Sequence, residues 1–124
     1  MEESDPRFQI SAARRMLYNE GCDSNVGGHV SVRDKDNPDH FYITPLEYFD
    51  ETLPDRVLKM TMDLKVLEGD WESSGAAAFH AAFYQARPDV QSVIHTHSYW
   101  VSILVTRPEP VGMFNVESVV LRDE

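Results

Sequence analysis

The sequence predicts a single α/β domain. Three observations carry that reading. Five short segments alternate apolar and polar side chains at the period of a strand, two longer ones repeat apolar residues at the period of a helix, and clusters of Gly, Pro, Asn and Asp separate them. At 124 residues the chain is long enough to bury one core, so one domain is expected over residues 1–124.

In chain order, Asp5 reads as an N-cap and Pro6 as the first helical residue, with Gly21 placed to end the helix. Ile10, Ala13, Met16, Leu17 and Phe8 form its apolar face; Arg14, Arg15 and Glu20 fall outside it. Residues 23–28 are turn-forming, and Gly27-Gly28 permits either a plain turn or close backbone approach to a ligand. Residues 29–33 alternate as a strand, with Val30 and Val32 on one face and His29, Ser31 and Arg33 on the other. His29 can reach a pocket there or serve the fold. A polar turn leads to a returning strand at 40–45 with Phe41 and Ile43 inward, giving a hairpin. Residues 46–58 are expected to loop, with a short helical turn at 54–57 and with Tyr48 and Phe49 as packing or pocket wall. Residues 59–64 and 66–70 then form a second hairpin.

Residues 73–87 form an alanine-rich helix capped by Ser73 or Ser74 and stopped by Pro88. Its apolar stripe is Phe79, Ala82, Phe83 and Ala86, while Ala76, His80, Tyr84 and Arg87 line an adjacent stripe toward a sheet edge or pocket. His80 reads as a residue hydrogen-bonded within the fold rather than a metal ligand. A strand over 90–97 precedes a helix over 98–105, capped by Ser98, burying Trp100, Val101, Leu104 and Val105, and ended by Pro108 and Pro110. A mixed segment, 113–121, follows.

Composition narrows the function. With 11 Lys plus Arg against 21 Asp plus Glu, a net charge of -10 makes nucleic acid and anionic membranes poor partners. Cys22 is alone and no stretch is apolar over a membrane's width, so a cytoplasmic protein is expected. The chemistry-bearing motif is His95-Thr96-His97. In a strand both imidazoles share a face, which suits a divalent metal such as zinc or iron but leaves a third ligand to be found. Alternatively, one ring caps the strand end and the other bonds backbone.

The order of motifs resembles the class II aldolase/adducin family. A helix precedes Gly28-His29-Val30-Ser31-Val32-Arg33, then come Ile43-Thr44-Pro45, Phe79-His80, and Ala86-Arg87-Pro88-Asp89-Val90 running to His95-Thr96-His97-Ser98. The resemblance implies a three-layer α/β/α fold with a central, mostly antiparallel sheet, C-terminally truncated here, and assembly as a homo-oligomer, a tetramer in the family. It implies His95 and His97 as metal ligands, Gly28, His29, Thr44 and Ser74 as substrate-binding positions, and a lyase or decarboxylase acting on a small carbonyl or hydroxy-acid substrate.

Departures from the pattern shape the expected branch. The sugar-phosphate aldolases carry an acid/base Glu four residues before the position of His80; this chain has Ala76, which exchanges no proton. Their phosphate-binding Asn is His29 here, and Glu47 near a phosphate would repel it. These points favour an adducin-like interaction protein or a relative of the non-haem iron oxygenases over a sugar-phosphate aldolase. Glu117 is the one late carboxylate available for an iron site, and reads better as a surface residue. The family's third metal histidine lies beyond residue 124, so the sheet and site are expected to be incomplete, with an open edge that favours association.

Overall fold

The computed structural model describes residues 2–23, 25–109 and 112. Helix α1 (Pro6–Asn19) starts as its end signals require: the Asp5 side chain accepts a hydrogen bond from the Arg7 N–H at 2.8 Å, and Pro6 sits in the first turn. Five strands follow: β1 (His29–Arg33), β2 (His40–Ile43), β3 (Leu58–Thr61), β4 (Val66–Glu68) and β5 (Ser92–His95). They form one antiparallel sheet in the order β4-β3-β2-β1-β5. Helix α2 (Ala77–Ala86) carries the chain from β4 across to β5, and α3 (Tyr99–Leu104) follows. Two 3-10 turns, Phe49–Glu51 and Pro54–Arg56, occupy the segment read as a loop. The mixed segment 113–121, with Glu117, lies outside the described residues, as does Pro110.

The sheet is covered on both faces, which makes the layers α/β/α. Ile10 of α1 packs with Val30, Tyr42 and Val57 on one side. On the other, Ala77, Ala81 and Tyr84 of α2 pack against Phe41, Ile43, Leu58 and Met60. Each of these buried side chains contributes about 1.5–3 kcal/mol of burial free energy, less for the alanines. The alternation in β1 is as expected. In β2, Tyr42 is buried as well as Phe41 and Ile43, because each face of that central strand has its own helix. Among the described residues, no helix is long and apolar enough to cross a membrane.

Three expectations about faces fail, the first two for a polar reason. On α1, Arg14 is fully buried and Met16 exposed. The Arg14 guanidinium stacks on Phe49, 4.3 Å from its ring centre, and donates to the carbonyls of Pro45 at 3.2 Å and Glu47 at 2.6 Å, satisfying loop backbone that has no strand partner. On α2 the buried stripe is Ala77, His80, Ala81 and Tyr84, whereas Phe79 and Phe83 are 64% and 56% exposed. The sheet face beneath carries Ser31 and Arg33, and Ser31 bonds both His80 and Tyr84, so the polar stripe turns inward. On α3, Trp100, Val101, Leu104 and Val105 are all exposed, since no described element packs over them.

Arg33 ties the far end of α2 to the sheet. Its guanidinium donates to the carbonyls of Tyr84 at 2.7 Å, Pro38 at 2.9 Å and Val90 at 3.1 Å, which fixes where β5 begins. Replacing Arg14 by Met would keep the volume and leave two loop carbonyls unpaired. Urea unfolding of Arg14→Met should show a loss of roughly 2–4 kcal/mol; a loss below 0.5 kcal/mol would refute this role for the guanidinium.

Candidate metal centre

The site is assembled by strand register. β1 and β5 pair antiparallel with His29 opposite His95 and Ser31 opposite Val93, so both imidazoles lie on the α2 face of the sheet. Gly28, immediately before His29, has φ +101°. A Cβ there would stand 2.6 Å from the His95 carbonyl oxygen and 2.8 Å from Cζ of Phe49, so only glycine lets the two strands meet at this point. His80 descends from α2 onto the same spot. One ring nitrogen from each of His29, His80 and His95 falls within 4.8 Å of the others, a grouping able to chelate a divalent metal.

The hydrogen bonding of these rings is incomplete in an informative way. His80 Nδ1 is 2.7 Å from Ser31 Oγ, which is 2.7 Å from the Tyr84 hydroxyl; His80 Nε2 has no partner. Neither ring nitrogen of His29 has one, although the residue is only 3% exposed. A buried polar atom without a partner costs about 1–3 kcal/mol, and three such atoms lie on the two facing rings. This donor set fits a divalent metal.

β5 ends at His95, so Thr96 and His97 lie beyond the strand rather than within it. The exposed His97 still turns back on His95, with the two Nε2 atoms 3.0 Å apart. His95 therefore stands between His97 and the buried pair, and it opens onto a cleft of about 500 Å³ that Phe79, His80, Phe83, Val93, Ile94 and Thr96 complete.

Other expected site residues are placed differently. Thr44 is buried, its Oγ1 accepting from the Val30 N–H at 3.4 Å. Ser74 Oγ accepts from the Ala76 N–H at 3.2 Å in the turn before α2, but the N-cap residue is Ala76 and no side chain caps the helix, so the cap expected from Ser73 or Ser74 does not form. Glu47, expected to repel a phosphate, is turned into the protein, where Arg56 donates to its Oε2 at 3.0 Å. His80 is the member of the cluster that helical spacing hid. Its signal was the polar face of β1, which a helix bearing His80 and Tyr84 four residues apart can match.

Burial, followed by the charge of His80, Arg14, His95 and His97, holds His29 down from 6.5 to about 4. Burial and His95 do the same to His80, also to about 4. Both rings are neutral at pH 7 and ready to donate lone pairs. Because these folded-state values lie below the unfolded value, their stabilisation is complete above about pH 6.5 and is lost as pH falls through about 4. Metal-free protein should therefore lose up to about 1.4 kcal/mol per pH unit for each ring in that window. Urea midpoints measured from pH 7 to 4 should fall, and His29→Asn should flatten the decline; an unchanged slope would contradict the burial of a neutral ring.

Residues 8–122 match the family described as Class II Aldolase and Adducin N-terminal domain. The chain is 30% identical over 115 residues to the meiotically up-regulated gene 14 protein of Schizosaccharomyces pombe, covering 90% of this chain and 44% of that protein. It is 28% identical to the 5-deoxy-D-ribulose 1-phosphate aldolase of Bacillus thuringiensis, covering 81% of this chain and 47% of that enzyme. Among solved structures, L-fuculose 1-phosphate aldolase from Glaciozyma antarctica superposes with a TM-score of 0.80 at 30% identity, covering 87% of this chain and 46% of that one. The chain thus spans about half the length of the relatives it matches. These likenesses run to the sugar-phosphate aldolase and epimerase branch, which overturns the expected adducin-like or oxygenase-like assignment. The reason is physical: Ala76 removes one side chain without altering the sheet, and Glu47 is held by Arg56 instead of facing a ligand. The chain belongs to the class II aldolase and adducin N-terminal domain family.

Proposed function

We propose that the chain is the metal-binding part of a lyase-type enzyme acting on a small carbonyl or hydroxy-acid substrate. The observation that carries this reading is the convergence of imidazoles on His95 in the wall of an open cleft. His95 holds the divalent ion, with His97 beside it, and an all-imidazole set suits zinc or iron. When bound, such an ion supplies Lewis-acid stabilisation for an enediolate or similar oxyanion. The chain's own residues do the rest. The exposed aromatic faces of Phe79 and Phe83 flank the cleft and shield a small substrate from water. Gly28 keeps β1 against β5, so His95 holds its place when the cleft is filled. Of the further positions assigned to substrate binding, Ser74 braces the turn before α2 and Thr44 supports β1, so their part is to hold backbone. Ala76 moves no proton, so acid/base work falls to a group outside the start of α2.

Assembly as a homo-oligomer in the cytoplasm belongs to the same reading. It is supported by the apolar surface that Trp100, Val101 and Val105 expose.

The test is metal content and turnover together. Purified protein loaded with zinc or iron should retain about one ion per chain by elemental analysis. It should also cleave one or more members of a panel of small hydroxy-carbonyl compounds, phosphorylated and not. His95→Ala combined with His97→Ala should abolish retention and lower turnover by at least about 100-fold, the scale of a lost Lewis acid. Unchanged turnover in that variant would sink the proposal.

A further inference from the structure

We propose that Phe49 is a positioning residue for the metal end of the sheet, braced by Arg14 so that the edge of its ring holds Gly28 against His95. The inference rests on the metal reading above only through His95, and it concerns side chains that touch no ion. Phe49 is 1% exposed, yet it belongs to neither apolar cluster of the core: one gathers around Phe41 and Leu58 under α2, the other around Ile10 and Val30 under α1. A buried phenylalanine ordinarily sits in such a cluster. The surroundings of this one are of another kind. A Cβ on Gly28 would stand 2.8 Å from Phe49 Cζ, 3.4 Å from Phe49 Cε2 and 2.6 Å from the His95 carbonyl oxygen. The ring edge and the His95 backbone therefore close the same small space beside Gly28. Packed interiors pass displacements on, so a shift of the ring reaches His95 through a single glycine.

The ring is held in turn by charge. The Arg14 guanidinium lies over its face, 4.3 Å from the centre, and is fixed there by the Pro45 and Glu47 carbonyls at 3.2 Å and 2.6 Å. A lysine would keep the charge but neither the planar stack nor the fork that reaches two carbonyls. Two further arginines tie down the same segment. Arg15 Nε donates to the Thr52 carbonyl at 3.3 Å, and Arg56 Nη1 donates to the Glu51 carbonyl and to Glu47 Oε2, each at 3.0 Å. Phe49 lies in the middle of the stretch so held. In a chain with 11 Lys plus Arg against 21 Asp plus Glu, three arginines directed at one connecting segment are a large share. Packing alone does not call for them, because loop carbonyls at a surface are satisfied by water. A metal ligand does call for a rigid support, since a misplacement of about 1 Å at a reacting centre lowers its rate by about 100-fold.

The experiment uses the full chain, with Zn²⁺ and Co²⁺ as probes. Affinity is measured by competition with a chromophoric chelator, and the visible absorption of the Co²⁺-saturated protein reports ligand geometry separately from affinity. Circular dichroism of each metal-free protein is the folding control. Phe49→Leu should weaken Zn²⁺ binding by roughly 10–100-fold, the scale of a lost outer support, and change the cobalt spectrum. Phe49→Met, which refills the space with a flexible chain, keeps the test open if the leucine variant does not fold, and should move both readouts the same way. Arg14→Lys should weaken binding by about 10-fold and, acting through the ring, add nothing when combined with Phe49→Leu. Ile10→Val, a truncation in the α1-side core, should leave both readouts at wild-type values. Wild-type affinity and spectrum in both Phe49 variants, with binding lost when His95 and His97 are both replaced by alanine, would overturn this inference and leave the metal reading standing. Equal losses in Ile10→Val would overturn it by reducing the effect to general stability, and additive losses in the combined variant would overturn the bracing by Arg14. No binding by the wild type would overturn both readings.

Discussion

The pairing of β1 with β5 is the constraint on which the rest of the site depends. Its register sets His29 opposite His95, and the side-chain period of two means that a slip by one residue would send one imidazole to the α1 face. Gly28 holds that register by excluding any residue with a Cβ at the closest approach of the two strands. Arg33, at the other end of the same strand, binds the carbonyls of Tyr84, Arg87 and Val90 in the segments that lead into β5, and that of Pro38 in the β1–β2 turn. A single five-residue strand thus determines where the sheet, the helix α2 and the imidazoles meet.

The two sides of that strand follow different physics. Toward α1, Val30 and its neighbours make an ordinary apolar contact. Toward α2, His29, Ser31 and Arg33 present a polar row, and a helix can cover such a row only by offering polar partners. His80 and Tyr84 supply them, four residues apart on one side of the helix. The cost of burying polar groups is offset where the bonds close and persists where they do not. The atoms left over are the ring nitrogens grouped around His95.

Much of the fold could be read from the residues because its signals are local. Asp5-Pro6 starts α1, and alternation at 29–33 and 40–43 with a polar turn between them makes the β1–β2 hairpin. The β3–β4 hairpin was legible on the same grounds. What could not be read depends on what lies opposite. Phe79 and Phe83 looked like the core stripe of α2 by hydrophobicity alone, yet the polar row on β1 decided which face turned inward. Arg14 looked solvent-exposed because the loop carbonyls it binds are 31 and 33 residues away. At the site, His95 and His97 were visible as a pair, whereas His80 became visible only once α2 was placed over Ser31. Branch assignment erred by weighing Ala76 and Glu47 as isolated letters. In the structure neither changes the frame, and the charge of Glu47 is already matched by Arg56.

The distribution of the three rings along the chain bears on folding order. His29 and His95 are 66 positions apart (95 minus 29), and His80 reaches them from a helix between. Closing a loop of that span costs entropy that only a formed sheet repays, so the cluster has no counterpart in any local piece of the chain. An isolated hairpin or helix cannot hold the ion with these three rings. A divalent ion could be held by that grouping only once the whole sheet has assembled.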